Sequence, residues 1–244
     1  MTTTRALDVE VLIFEGCPNA GPAEERVRKC LERLGVPYEL RAIEVNTEEK
    51  AAAVGFLGSP SVRINGADLE GRKTEHGMLT CRVYDGSSGV PPEWLIEAAV
   101  LRALRPRGIL FLCVANSARS QMAEGIARAL APDGVEVWSA GSKPTSVRPE
   151  AIAVLREIGV DISHHRSKAV SEIPADRVDA VITLCAEEEC PVFLGKAVRV
   201  HWGLPDPAAV EGAPEARLAA FRATRDELLR RIRMIFLQED ETGA

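Results

Sequence analysis

Cys113 and Arg119 stand six positions apart in Cys113-Val-Ala-Asn-Ser-Ala-Arg119-Ser120, after the apolar run Ile109-Leu-Phe-Leu-Cys-Val114 and before a helical pattern. A thiol at a strand end and a guanidinium at a helix start suit the capture of a tetrahedral oxyanion. The successive N–H groups of Val114, Ala115, Asn116, Ser117 and Ala118 can curl around three oxygens, and the helix N-terminus adds its positive end. Arg119 supplies a planar two-point grip on the same oxygens. Such surroundings favour Cys113 as an attacking thiolate, to which the Ser120 hydroxyl can donate a hydrogen bond. A cysteine merely buried at a strand end would show the same spacing by chance. The strand–loop–helix setting argues for chemistry.

Thiols also serve redox exchange and metal binding. The chain has six cysteines, Cys17, Cys30, Cys81, Cys113, Cys185 and Cys190. They are too few to scaffold 244 residues, and no close Cys-x-x-Cys pair occurs. Catalytic or redox thiols are therefore expected, and no metal. Cys185 and Cys190 form the nearest pair, in Thr183-Leu-Cys-Ala-Glu-Glu-Glu-Cys-Pro191. The acidic run between them suits a solvated, movable segment. Cys17 precedes a helix whose N-terminus favours a thiolate, whereas Cys30 lies on an apolar helix face and reads as core.

The elements that position these groups fall into two sets, 1–105 and 106–244, joined at Arg105-Pro-Arg-Gly108. In the first, a strand at 9–14 precedes an amphipathic helix at 21–34, with Val27, Cys30, Leu31 and Leu34 at helical spacing and Gly35 ending it. A strand near 38–45, a short helix near 47–54 and a strand after Ser59-Pro60 follow. Asn65-Gly66 closes that strand in a tight hairpin. Residues 67–90 read as polar loop, and a helix at 91–104 completes the set. The second set has strands at 109–114, 135–140, 178–184 and 198–202, with helices at 120–131, 148–158 and 215–237. Strand–helix alternation implies α/β architecture with a parallel sheet in both.

Composition sets outer bounds. Hydrophobic residues at 46% and charged residues at 27% are those of a soluble globular protein. No apolar run approaches the roughly 20 residues that span a bilayer, so no membrane association is expected. The net charge of -6 and the lack of a basic stripe argue against nucleic acid. Met-Thr-Thr-Thr-Arg-Ala-Leu-Asp lacks an apolar signal segment, and a cytoplasmic location is expected.

The segment Cys113-Val-Ala-Asn-Ser-Ala-Arg-Ser-Gln-Met-Ala-Glu124-Gly125 resembles the start of the low-molecular-weight protein tyrosine phosphatases and of the arsenate reductases that share their fold. The likeness continues through Ser139-Ala-Gly141, Val160-Asp-Ile-Ser163-His164, Val181-Ile-Thr-Leu-Cys185 and His201-Trp-Gly-Leu-Pro-Asp206-Pro207, spanning 108–237. It implies a four-stranded parallel sheet flanked by helices, and Asp206 as the general acid that protonates the leaving oxygen. Phosphoryl or arsenate transfer needs such a donor opposite the nucleophile, although an Asp-Pro turn would show the same residues. Both classes share these parts. Cys185 and Cys190 discriminate, because a reductase must supply two electrons and thiols can. The segment after Asp206 also lacks the tyrosines that stack a phosphotyrosine ring; Tyr38 and Tyr84 are the chain's only two. A small inorganic oxyanion is favoured, and with it arsenate reduction in arsenic detoxification. A phosphatase for phosphotyrosine or small phosphoesters is the runner-up, and a non-catalytic arsenic-binding or regulatory protein the third reading. Two departures matter: Ala118 replaces a further cysteine of some reductases, and Lys168 an acidic ligand of a structural potassium ion. With Asn116, Glu124 and Ser139 present, the Lys168 ammonium is expected to replace that ion.

Residues 8–104 are similar to the thioredoxin and glutaredoxin superfamily through Phe14-Glu-Gly-Cys-Pro-Asn19, Gly55-Phe-Leu-Gly-Ser-Pro60 and Cys81-Arg-Val-Tyr84. The likeness implies a cis proline at position 60 packed beside the active cysteine. Asn19-Ala20 stands where the second cysteine of a Cys-x-x-Cys would be. Cys17 is thus expected to act as a fused reductant of the Cys185–Cys190 disulfide. Cys81 or an external thiol reductant (thioredoxin, glutaredoxin or a low-molecular-weight thiol) would regenerate it. A pair of thiols capturing a soft ion, or a fold without redox activity, are the alternatives. No tightly bound cofactor is expected.

Overall fold

The computed structural model describes residues 5–84, 88–186, 193 and 195–238. The chain divides into two compact units, residues 1–104 with 237–244, and 105–236.

The first unit runs β1 (Leu7–Ile13), α1 (Ala20–Leu34), β2 (Tyr38–Glu44), α2 (Glu48–Val54), β3 (Ser61–Ile64), β4 (Ala67–Asp68) and α3 (Glu93–Leu104). Its sheet has the order β2-β1-β3-β4. β1 and β2 are parallel, but β3 runs antiparallel to β1, and β4 to β3. Between β3 and β4 the expectation of a parallel sheet fails for a local reason. Asn65 and Gly66 both take positive φ, 52° and 81°, the pairing of a two-residue hairpin turn, and such a turn can join only antiparallel strands. α1 buries Ala23, Val27, Cys30, Leu31 and Leu34 on one face and ends at Gly35 in the left-handed conformation.

The segment 67–90 is not simply a polar loop. It buries Asp68, Leu69, Arg82 and Tyr84. Arg82 makes two bonds to the Asp68 carboxylate, 2.6 and 2.8 Å, a third to Glu70 at 2.8 Å, and covers the Tyr84 ring at 4.4 Å. Removing either member of the buried pair strands a charge, a loss of about 3–5 kcal/mol.

The second unit runs β5 (Gly108–Cys113), α4 (Arg119–Leu130), β6 (Glu136–Gly141), α5 (Pro149–Arg156), β7 (Ala180–Cys185), β8 (Val198–Leu204) and α6 (Pro214–Ile235). Its four strands are all parallel in the order β6-β5-β7-β8. Every residue of β5 is buried, as expected of an inner strand covered on both faces. Leu110 and Leu112 from one face of β5 join Ala140, Val181, Ile173, Val178 and Phe193 in one core. Among the described residues, no helix is long and apolar enough to cross a membrane.

Candidate active site

Ligands of open parallel sheets gather at the carboxyl ends of the strands. In the second unit those ends carry, in spatial order, Gly141 of β6, Cys113 of β5, Cys185 of β7, and Leu204 of β8, two residues before Asp206. Residues scattered over 90 positions of sequence thus meet along one edge of one sheet.

The loop after Cys113 is held open from inside. Among the described residues, the N–H groups of Ala115, Asn116, Ser117 and Ala118 donate to no protein acceptor. They lead directly into the first turn of α4, which makes them the donors of an anion cradle. Asn116 takes φ 45°, a left-handed conformation that asparagine tolerates better than most side chains. Its buried side chain uses its whole capacity on protein. Nδ2 donates to Ser120 Oγ and Ser139 Oγ at 2.8 and 2.9 Å, and Oδ1 accepts from the Lys168 N–H and Gln121 Nε2 at 2.7 and 2.9 Å. Asn116 therefore shapes the cradle with its side chain and offers only its backbone to a ligand.

The same bonds reach Cys113. Cys113 is 3% exposed, and its Sγ lies 2.9 Å from Ser120 Oγ. Ser120 Oγ accepts from Asn116, and its hydroxyl proton is available to the sulfur whenever Cys113 is a thiolate. Behind Asn116 the chain of bonds continues. Ser139 donates to Glu124, a carboxylate 1% exposed, and Lys168 Nζ donates to the same Oε2 at 2.9 Å. The Lys168 ammonium thus contacts Glu124, while its backbone N–H reaches Asn116. Burial lowers the pKa of His165. Gln121 donates through Nε2 to Asn116 and to the Arg166 carbonyl, so its Oε1 accepts from His165 Nδ1 at 3.0 Å.

Arg119 is buried, and its Nη1 donates to the carbonyls of Leu204 and Leu184 at 2.9 and 3.4 Å. Its Nη2 lies 3.6 Å from Asp206 Oδ2. Leu184 is the neighbour of Cys185, so one guanidinium joins the anion loop to both the second thiol and the acid. Asp206 is about one-third exposed, and its Oδ1 caps the turn at Ala208 N–H, 3.2 Å. It fills the turn role and also faces the anion loop. Leu112 pairs with Thr183. Thr183 stands two residues before the buried Cys185 that ends β7. Cys190 lies outside the described residues.

In the first unit, Cys17 is half-buried in a turn at the end of β1, its N–H bonded to the Phe14 carbonyl and its own carbonyl to Ala20. The Ser59–Pro60 peptide is cis. Ser59 Oγ accepts from Phe14 N–H at 3.3 Å, and Ser59 bridges to the exposed Cys81. The backbones of both cysteines are therefore linked to Ser59, Cys17 through Phe14 and Cys81 through its bridge. Burial pushes the Cys30 thiol up to about 12, which agrees with a core role. Among the described residues, no group of three metal-ligating side chains exists.

Sequence reasoning did not single out Gly141, Gln121 or the carbonyls of Leu184 and Leu204. A Cβ on Gly141 would run into the Val114 carbonyl oxygen and the backbone of Asn116. A glycine at a strand end resembles any turn glycine, and a carbonyl leaves no trace in side-chain identity.

A family model described as low molecular weight phosphotyrosine protein phosphatase matches residues 108–241. An arsenate reductase of Halalkalibacterium halodurans is 43% identical over 127 residues, covering 51% of this chain and 91% of that protein. One of Bacillus subtilis is 39% identical over 127 residues with the same coverage. Among solved structures, an arsenate reductase from Archaeoglobus fulgidus is similar at a TM-score of 0.47 and 26% identity, covering 53% of this chain and 99% of that one.

Proposed function

Because the chain belongs to the low molecular weight phosphotyrosine protein phosphatase family, we propose that Cys113 attacks arsenate and that the protein reduces it to arsenite. One observation carries the choice of a reductase. A second cysteine, Cys185, ends the strand beside the nucleophile's own and adjoins the carbonyl that holds Arg119. Hydrolysis of a phospho-cysteine needs only water and gives such a thiol no task. The named arsenate reductases at 37–43% identity support the same reading.

The steps balance as follows. The Cys113 thiolate bonds to arsenic, and Asp206 protonates the departing oxygen, which leaves as water. The Cys185 thiolate then attacks Cys113 Sγ. The sulfur–arsenic pair stays on arsenic, which leaves as arsenite, and a Cys113–Cys185 disulfide remains. Cys190 attacks Cys185, frees Cys113 as a thiolate and leaves Cys185–Cys190 for an outside thiol to reduce with two electrons. Arg119 and the loop amides hold the oxyanion throughout, and Ser120 steadies the thiolate.

The first unit is read as a thioredoxin-like domain with Cys17 as a tethered reductant and Cys81 or an external thiol as its resolver. The backbone links of Cys17, through Phe14, and of Cys81 to Ser59 support this. A cytoplasmic setting, where thiol donors abound, fits such chemistry.

Steady-state arsenate reduction with a thioredoxin system as donor tests the proposal. Cys113→Ser abolishes turnover, and Cys185→Ser loses multiple-turnover reduction at least about a hundredfold while keeping hydrolysis of p-nitrophenyl phosphate. Retained reduction by Cys185→Ser would sink the relay. Ester hydrolysis without arsenate reduction in the parent chain would make the protein a phosphatase.

A further inference from the structure

Beside the anion loop runs a strap, residues 142–148, between the end of β6 and the start of α5. Three of its amides clip it to loop carbonyls: Lys143 to Val114 at 2.9 Å, Thr145 to Ala115 at 3.0 Å and Arg148 to Ser117 at 2.9 Å. No catalytic step above uses it. It carries two cations, Lys143 and Arg148, both exposed and both without an ion-pair partner among the described residues. Several other cations of this unit are compensated: Arg128 meets Glu124, Arg156 meets Asp161, Arg166 meets Glu172, and Arg177 meets Glu136. Arg148 also lines a cleft of about 280 Å³ with Glu150, Arg217 and the segment after Asp206, through Ala208, Val210, Glu211 and Gly212.

The electrostatic consequence follows from the net charge. A chain at -6 repels a dianion from a distance, and exposed cations on a strap bonded to the loop reverse that field locally. We propose that Lys143 and Arg148 form a cationic rim that draws dianionic tetrahedral oxyanions to the Cys113 loop, acting on capture and not on chemistry. The rim serves the loop to which arsenate reduction is assigned, and so rests on that reading for its natural ligand. It reads only charge, however, and inorganic phosphate is an equivalent probe.

The test is calorimetric titration of the reduced full-length protein with inorganic phosphate at about 20 mM and about 500 mM sodium chloride, where screening lengths differ severalfold. Reversing a charge roughly 10 Å from a dianion in water weakens its binding about fivefold at the lower salt and less than about twofold at the higher. Lys143→Glu and Arg148→Glu are each expected to behave so, and Lys143→Arg and Arg148→Lys to match the parent. Arg233→Glu supplies the same change in net charge on the last turn of α6, about 28 Å along that helix from its start, and is expected to leave affinity unchanged. The rim is overturned if the two reversals match Arg233→Glu at low salt. It is equally overturned if their loss persists undiminished at high salt, which would mark a direct contact or a damaged loop. Intact salt-dependent phosphate binding in a chain that never reduces arsenate removes the arsenate reading and leaves the rim standing.

Discussion

At position 141 there is no room for a methyl group. The backbone of β6 passes so close to the loop that a Cβ would stand 2.9 Å from the Asn116 nitrogen and still closer to the Val114 carbonyl. Gly141→Ala must push the cradle open, and misplacing donors by a fraction of an ångström costs roughly ten- to a hundredfold in capture. Phosphate affinity and arsenate kcat/KM are expected to fall by that factor while the melting midpoint moves by only a few degrees. Lys168 allows a second test at this scale. If its ammonium supplies the positive charge beside Glu124, exchanging sodium for potassium leaves turnover unchanged; a strong, saturable rise with potassium counts against it. The cysteine, arginine and aspartate were legible because few other residues perform their chemistry. Gly141 and Gln121 were not, because their contribution is a gap and a hydrogen-bond relay that exist only after folding.

Helices and strands followed from apolar spacing where one face is buried, as in α1 and β5. The exceptions are instructive. Alternation of strand and helix suggested parallel sheets, and between β3 and β4 the two-residue turn at Asn65-Gly66 overruled it. The few buried residues of 67–84 show no periodicity, because they include an ion pair, Arg82 with Asp68, rather than an apolar stripe. A further ionic staple joins elements in the second unit. Glu157, just past α5, accepts from Arg222 and Arg225 of α6, and these guanidiniums hold its carboxyl down at about 2. A carboxylate whose pKa is depressed by folding stabilises above its unfolded value, 4.5, and that contribution is lost as pH falls through about 2. Glu157→Gln is therefore expected to lower the melting temperature at pH 7. The gap from the parent should close as scanning calorimetry approaches pH 2. A constant gap at every pH would assign the effect to packing.

On the scale of the whole molecule, the chain joins two units, each with thiols at one end of its sheet. Covalent linkage alone raises the effective concentration of a reductant to about millimolar, so a tethered Cys17 need not bind its target tightly. Cys17→Ser is expected to lower arsenate turnover at least about fivefold when low-molecular-weight thiols are the donors. Full turnover with every donor tested would remove the tethered reductant. The division near residue 105 could be read from the restart of an apolar strand after Arg105-Pro-Arg-Gly108. Which cysteines are linked to Ser59 could not, since the bridge from Ser59 to Cys81 spans 22 positions and has no local sequence mark.

The four hydrogen bonds of the Asn116 amide also bear on how the protein ages. Asn116 is followed by Ser117, a pair prone to deamidate when the next backbone nitrogen attacks the side-chain carbonyl carbon. With both amide atoms pinned by Ser120, Ser139, Gln121 and Lys168, that carbon cannot swing into line. Folded protein should keep Asn116 through prolonged storage, while the unfolded chain converts it to aspartate and places a negative charge inside the cradle on refolding.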